Sequence, residues 1–200
     1  MSEPQDGIRL SAAFEKALVY ATRKHDGQTV KTTGAPYILH PLQVAGIALE
    51  HGADETQAVA ALLHDVLEDT PTTYEELEAE FGTRVADIVR ALSDTEDHEE
   101  KGPWRERKQD YLELLATKDA DTALVSCADK VHNARRIVSD LRACGEDAKA
   151  KEAFWNHFRG RRDGSLWYYR ALLDTLAGLG VPPRLLAELR VAVEAMEALA

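Results

Sequence analysis

The segment AVAALLHDVLEDT, residues 58–70, decides the fold. Up to Leu63 it is apolar on nearly every side, which no surface helix tolerates, so it belongs at the centre of a helical bundle. Asp54 followed by Gln57 has the spacing of a capping box, and Pro71 stops the pattern, so one helix is expected from about 54 to 70. Its last turns carry His64 and Asp65 where apolar residues belong, and burying such groups unpaired costs several kcal/mol. A bound cation removes that cost. Adjacent helical residues diverge by about 100°, so the ion must sit off the helix face and take further ligands from elsewhere.

Outward from this segment the chain reads as all-α. Leu10, Ala13, Phe14, Ala17, Leu18 and Ala21 form an apolar stripe, followed by a loop over 26–37 that holds Gly27, Gly34 and Pro36. Pro41 suits the first turn of a second helix closing at Gly52, which puts His40 at its mouth. Thr73 and Glu76 form a second capping box, for a short helix closed by Gly82. Further helices are expected over about 85–92, 104–116, 120–143, 165–179 and 182–200. With no repeat and no linker, the chain is expected to be one domain over 1–200, with a core at about 10–145 and a C-terminal helical extension from about 146.

The chemistry-bearing residues recur at helical spacing. His40 and Asp129 are the natural companions of His64 and Asp65, giving two imidazoles and two carboxylates, a set that suits Mn, Fe, Co, Ni or Zn. Glu68 lies four residues after His64 and Asp69 four after Asp65, on the side of the HD pair, where carboxylates can orient and deprotonate a water. Asn133 and Arg136 follow Asp129 by four and seven residues and offer an amide and a guanidinium to phosphate or sugar. The remaining histidines, His25, His51, His98, His132 and His157, read as surface or hydrogen-bonded residues. Arg159, Arg161 and Arg162 read as a solvated basic loop, and residues 94–100, DTEDHEE, as a solvated acidic one.

Composition narrows the partners. A net charge of −11 disfavours broad nucleic-acid binding and leaves small anions that a metal can attract. No apolar run approaches the ~20 residues of a membrane span, and the first ten residues lack the apolar stretch of a secretory signal, so a cytoplasmic protein is expected. Cys127 and Cys144 are expected as reduced, structural thiols.

The blocks GAPYILHPLQVA (34–45), AVAALLHDVLEDT (58–70), FGTRVADIV (81–89) and ADKVHNARRI (128–137) resemble, in order and spacing, the hydrolase domain of RelA/SpoT-type proteins and the stand-alone small alarmone hydrolases. The likeness covers roughly 14–142. It implies an HD-type helical bundle in which His40, His64, Asp65 and Asp129 bind one metal, usually Mn²⁺, and Glu68 and Asp69 activate water. It further implies removal of pyrophosphate from the 3′ position of guanosine tetra- or pentaphosphate, with Lys31, Thr32, Asn133, Arg136 and Arg23 as substrate contacts. With no room for a synthetase domain, such a chain would degrade the nucleotide without making it. Where many long members carry Arg-Lys ahead of the PYxxHP block, this chain has Lys31 and Thr32, and lysine lacks the flat guanidinium that covers a base. Arg136 likewise stands where the long members usually have a threonine. The adenosine counterpart (p)ppApp, a broader nucleotide or NADPH phosphatase, and a non-catalytic nucleotide sensor therefore stand beside the guanosine reading.

Overall fold

In a computed structural model of the chain, which describes residues 8–30, 33–93 and 103–200, regular structure is helical throughout, apart from a single bridge between Thr29 and Pro36. The chain divides after Ser93 into two compact units.

The first unit holds α1 (Ala12–Lys24), α2 (Leu39–Glu50), α3 (Glu55–Leu63), α4 (Val66–Asp69), α5 (Tyr74–Phe81) and α6 (Thr83–Leu92). The expected capping box opens α3: the Gln57 amide donates to Asp54 Oδ1 at 2.8 Å, and the Asp54 amide donates to Gln57 Oε1 at 2.7 Å. Every residue of α3 from Gln57 to Leu63 is buried, and α1, α2 and α6 pack around it. Leu62 and Leu63 are wholly enclosed, and burying side chains of this size stabilises by roughly 1.5–3 kcal/mol each. This is the central helix expected from residues 58–70, with one correction: it does not run unbroken to Thr70.

The break falls on the HD pair. His64 Nδ1 lies 2.8 Å from the carbonyl of Ala61, the acceptor that an unbroken helix would offer to the amide of Asp65. Asp65 turns to φ −97°, ψ −4°, and the chain restarts as the single turn α4. Thr70 Oγ1 closes that turn by donating to the Val66 carbonyl at 2.6 Å.

The second capping box forms by half. Thr73 accepts from the Glu76 amide, but the Glu76 carboxylate turns away to the Tyr20 hydroxyl at 2.6 Å and to Lys24 at 2.8 Å, joining α5 to α1. Gly82 closes α5 and opens α6 at φ 86°, ψ 160°, a conformation that side-chain-bearing residues avoid.

The second unit holds α7 (Trp104–Leu115), α8 (Ala120–Cys144), α9 (Ala148–Trp155), α10 (Arg161–Ala177) and α11 (Pro183–Leu199). The long α8 is the counterpart of α3 here, and α11 lies along it through Leu185, Leu189, Val193 and Met196. The segment expected as an extension after about 146 is thus packed onto α8. Helix α9 is absent from the sequence reading; Asp147 caps it by accepting from the amides of Lys149 and Ala150. Trp104 of α7 lies against Gly160 and Gly164, and a Cβ on Gly160 would stand 2.5 Å from its ring. Both cysteines are free thiols, and burial pushes that of Cys127 up to about 12. Among the described residues no helix is long and apolar enough to cross a membrane. The acidic stretch 94–100 lies outside the described residues.

Candidate active site

Three of the expected metal ligands converge in the first unit. His40 comes from the first turn of α2, His64 from the end of α3, and Asp65 from the break that follows. His40 Nε2 and His64 Nε2 stand 3.1 Å apart, and Asp65 Oδ2 lies 3.3 Å from the first and 3.1 Å from the second. Ligands held at about 2.0–2.2 Å from one ion stand about 2.8–3.6 Å apart, from octahedral to tetrahedral coordination, so this triangle fits a divalent cation. The helix break gives the pair this aim, since on a regular helix the two side chains would diverge.

Tautomer and orientation agree with that reading. The Ala61 carbonyl can only accept, so His64 carries its proton on Nδ1 and turns the lone pair of Nε2 toward the triangle. Tyr37 donates its hydroxyl to Asp65 Oδ2 at 2.6 Å and packs its ring against His40 at 5.7 Å. Both imidazoles are buried, with 5% exposure each. Burial alone would raise the Asp65 carboxyl, but the electrostatic influence of the His64 ring, with that of His40 beside it, holds it well below the usual carboxylate range.

The two expected water-handling carboxylates lie on α4, beside this cluster in sequence. Glu68 is half-buried, and the Asp69 amide donates to the Asp65 carbonyl at 2.8 Å. Desolvation and the negative charge of Asp65 push the Asp69 carboxyl up, against the pull of Tyr37, His25 and His64.

Asp129 is buried on α8 in the second unit, where Asn133 Nδ2 donates to Oδ1 and Lys130 Nζ to Oδ2, each at 2.6 Å. Burial would depress the Lys130 ammonium, but the Asp129 carboxylate outweighs it and holds the lysine well above its usual value. Asn133, expected on substrate, is engaged with Asp129. Arg136 is half-buried on α8, and its charge reaches the buried Tyr169 hydroxyl. Arg23 lines a cleft of about 500 Å³ with Lys16, Val19, Tyr20 and Glu80. Lys31 and Thr32 lie outside the described residues.

Sequence reasoning assigned no role to Tyr37, Lys130 or Gln28, and read His25 as a surface or satisfied histidine. His25 is 3% exposed, with Nδ1 paired to Gln28 Oε1 at 2.8 Å and Nε2 buried without a hydrogen-bond partner among the described residues. Tyr37, three residues before His40, carried the one legible signal: a tyrosine within the quoted PYILHP block.

The chain is similar in sequence and fold to known proteins. The profile of the HD domain family matches residues 17–165. The bifunctional (p)ppGpp synthase/hydrolase SpoT of Escherichia coli (strain K12) is 37% identical over 142 residues, 68% of this chain. The guanosine-3′,5′-bis(diphosphate) 3′-pyrophosphohydrolase of Aquifex aeolicus is 39% identical over 136 residues, 67% of this chain. The chain spans only 19% and 18% of those two proteins. A solved structure of a metazoan ortholog of SpoT, described as hydrolysing ppGpp, superposes with a TM-score of 0.75 at 30% identity, covering 96% of this chain and 99% of that one. A crystal structure from Listeria monocytogenes superposes with a TM-score of 0.65 at 29% identity, covering 82% and 99%. With the profile match and a relative of its own length in agreement, the chain belongs to the HD-domain family, among the relatives of SpoT.

Proposed function

We propose that this chain is a divalent-metal-dependent hydrolase that releases pyrophosphate from the 3′ position of a guanosine tetra- or pentaphosphate. The observation that carries the reading is the triangle of His40 Nε2, His64 Nε2 and Asp65 Oδ2, with edges of 3.1 to 3.3 Å, in a relative of proteins named for that reaction. Asp129 is the proposed fourth ligand and Mn²⁺ the proposed ion. When bound, such an ion lowers the pKa of water and draws charge from phosphate oxygens.

The protein's own side chains do the rest. Asp69, with Glu68 beside it, takes a proton from the attacking water. The water oxygen bonds to the phosphorus next to the 3′ oxygen, the bond between that phosphorus and the 3′ oxygen breaks, and the carboxylates return the proton to that oxygen, which becomes a hydroxyl. The products are pyrophosphate and GDP or GTP. Tyr37 holds Asp65, and Asn133 holds Asp129, so that neither carboxylate swings away from its partners. Asn133 and Arg136 are also the proposed contacts to the nucleotide, together with Lys31, Thr32 and Arg23. The proposed substrate is a small nucleotide and the proposed compartment the cytoplasm.

Lys31 lacks the flat guanidinium that would cover guanine, so the adenosine counterpart (p)ppApp is a second proposed substrate with the same chemistry. The test is turnover of ppGpp, ppApp and NADPH by the Mn²⁺-loaded chain, with products identified. Pyrophosphate from ppGpp is expected. Orthophosphate alone would make it a general phosphatase, and binding without turnover would make it a sensor; either overturns the proposal.

A further inference from the structure

The turn α4 is four residues long, too short to hold itself, yet it carries Glu68 and Asp69. Its end is gripped from the loop between α1 and α2. Gln28 Nε2 donates to the backbone carbonyl of Asp69 at 2.9 Å, which gives that orphan helix-terminal acceptor a partner. On its other side the Asp69 amide is fixed to the Asp65 carbonyl at 2.8 Å. Asp69 is therefore pinned through both of its backbone polar groups.

Gln28 is itself held. The Asp69 carbonyl only accepts, so the NH₂ of Gln28 must face it and Oε1 must face His25, which makes His25 Nδ1 the donor of their 2.8 Å bond. The Gln28 carbonyl accepts from the Tyr37 amide at 2.9 Å, and the His25 and Tyr37 rings pack with centroids 5.0 Å apart. One loop thus grips Asp65 through the Tyr37 hydroxyl and Asp69 through the Gln28 amide. This tautomer leaves His25 Nε2 as a buried ring nitrogen with no hydrogen-bond partner among the described residues. A residue kept only for packing would not carry that desolvation penalty, so the donor at Nδ1 is what the position uses.

We infer that Gln28, oriented by His25, is a positioning residue that sets Asp69 toward the attacking water, an inference that rests on the function proposed above. Misplacement by about 1 Å is enough to cost about 100-fold in rate.

The test uses the full-length Mn²⁺-loaded chain and the variants Gln28→Ala and His25→Asn, the second of which keeps a donor near Nδ1 and drops Nε2. Gln28→Ala is expected to lower kcat by about 10- to 100-fold, with KM and Mn²⁺ stoichiometry unchanged. It should also speed hydrogen exchange at the Asp69 amide by about tenfold. His25→Asn should keep kcat within about twofold. Unchanged kcat or unchanged Asp69 exchange in Gln28→Ala would overturn the inference, as would a loss in His25→Asn as large as that in Gln28→Ala. The exchange arm needs no turnover, so an inactive wild-type chain would sink the proposed function while exchange still decides whether Gln28 braces Asp69.

Discussion

His40 Nε2 and His64 Nε2 face each other at 3.1 Å in the interior of the first unit. Two imidazoles rarely meet in this way without a proton or a cation between them. The acceptor at His64 Nδ1 and the nearby Asp65 carboxylate favour the cation, because together they present unprotonated nitrogen and negative charge to one point.

The Tyr37 hydroxyl orients Asp65 from behind, so Tyr37→Phe should weaken Mn²⁺ binding by ~10–100-fold while leaving the helices intact. Titration calorimetry measures this directly. Unchanged affinity would show that the 2.6 Å bond does not set the carboxylate.

Asp69 carries the pH dependence. Desolvation and the charge of Asp65 raise its pKa, and as a base it acts only when deprotonated, so the rate should climb with pH through the raised value. Asp69→Asn should keep the metal and lose ~10²–10⁴-fold in kcat. The same shift has a signature in stability. The folded state retains this proton at a pH where the unfolded chain has released it, so the contribution of Asp69 falls as pH rises through the window between the two values. Without metal, the Tm of Asp69→Asn relative to wild type should therefore increase from about pH 4 to about pH 7. A difference that shrinks over that range would contradict the raised pKa.

In the second unit, Gly160→Ala forces a methyl to within 2.5 Å of the Trp104 ring and should destabilise by about 1–3 kcal/mol in urea unfolding. Gly178→Ala, whose nearest atom lies at 3.6 Å, is the matched control and should change stability little. Equal effects at both positions would show that the Trp104 contact does not govern the packing of α7 on α10.

The helical class, the buried α3 and the Asp54 cap were legible in the sequence because they follow from period, composition and local capping chemistry. The break at His64 was not: it arises when an imidazole takes the Ala61 carbonyl from the helix, and an apolar run gives no sign of that competition. The half-formed Thr73 box failed for a similar reason, since Glu76 found tertiary partners in Tyr20 and Lys24. In the candidate site, the expected ligands His40, His64 and Asp65 do come together. The groups that orient them, Tyr37 and the Ala61 carbonyl, depend on how a loop and a helix end are placed, and residue spacing does not encode that.

Anomalous scattering at the manganese edge from crystals grown with Mn²⁺ tests the central claim most directly. A single peak within about 2.2 Å of His40 Nε2, His64 Nε2 and an oxygen of Asp65 is the result expected. A structure at full Mn²⁺ saturation with no density inside that triangle, or with the ion bound elsewhere, would contradict it.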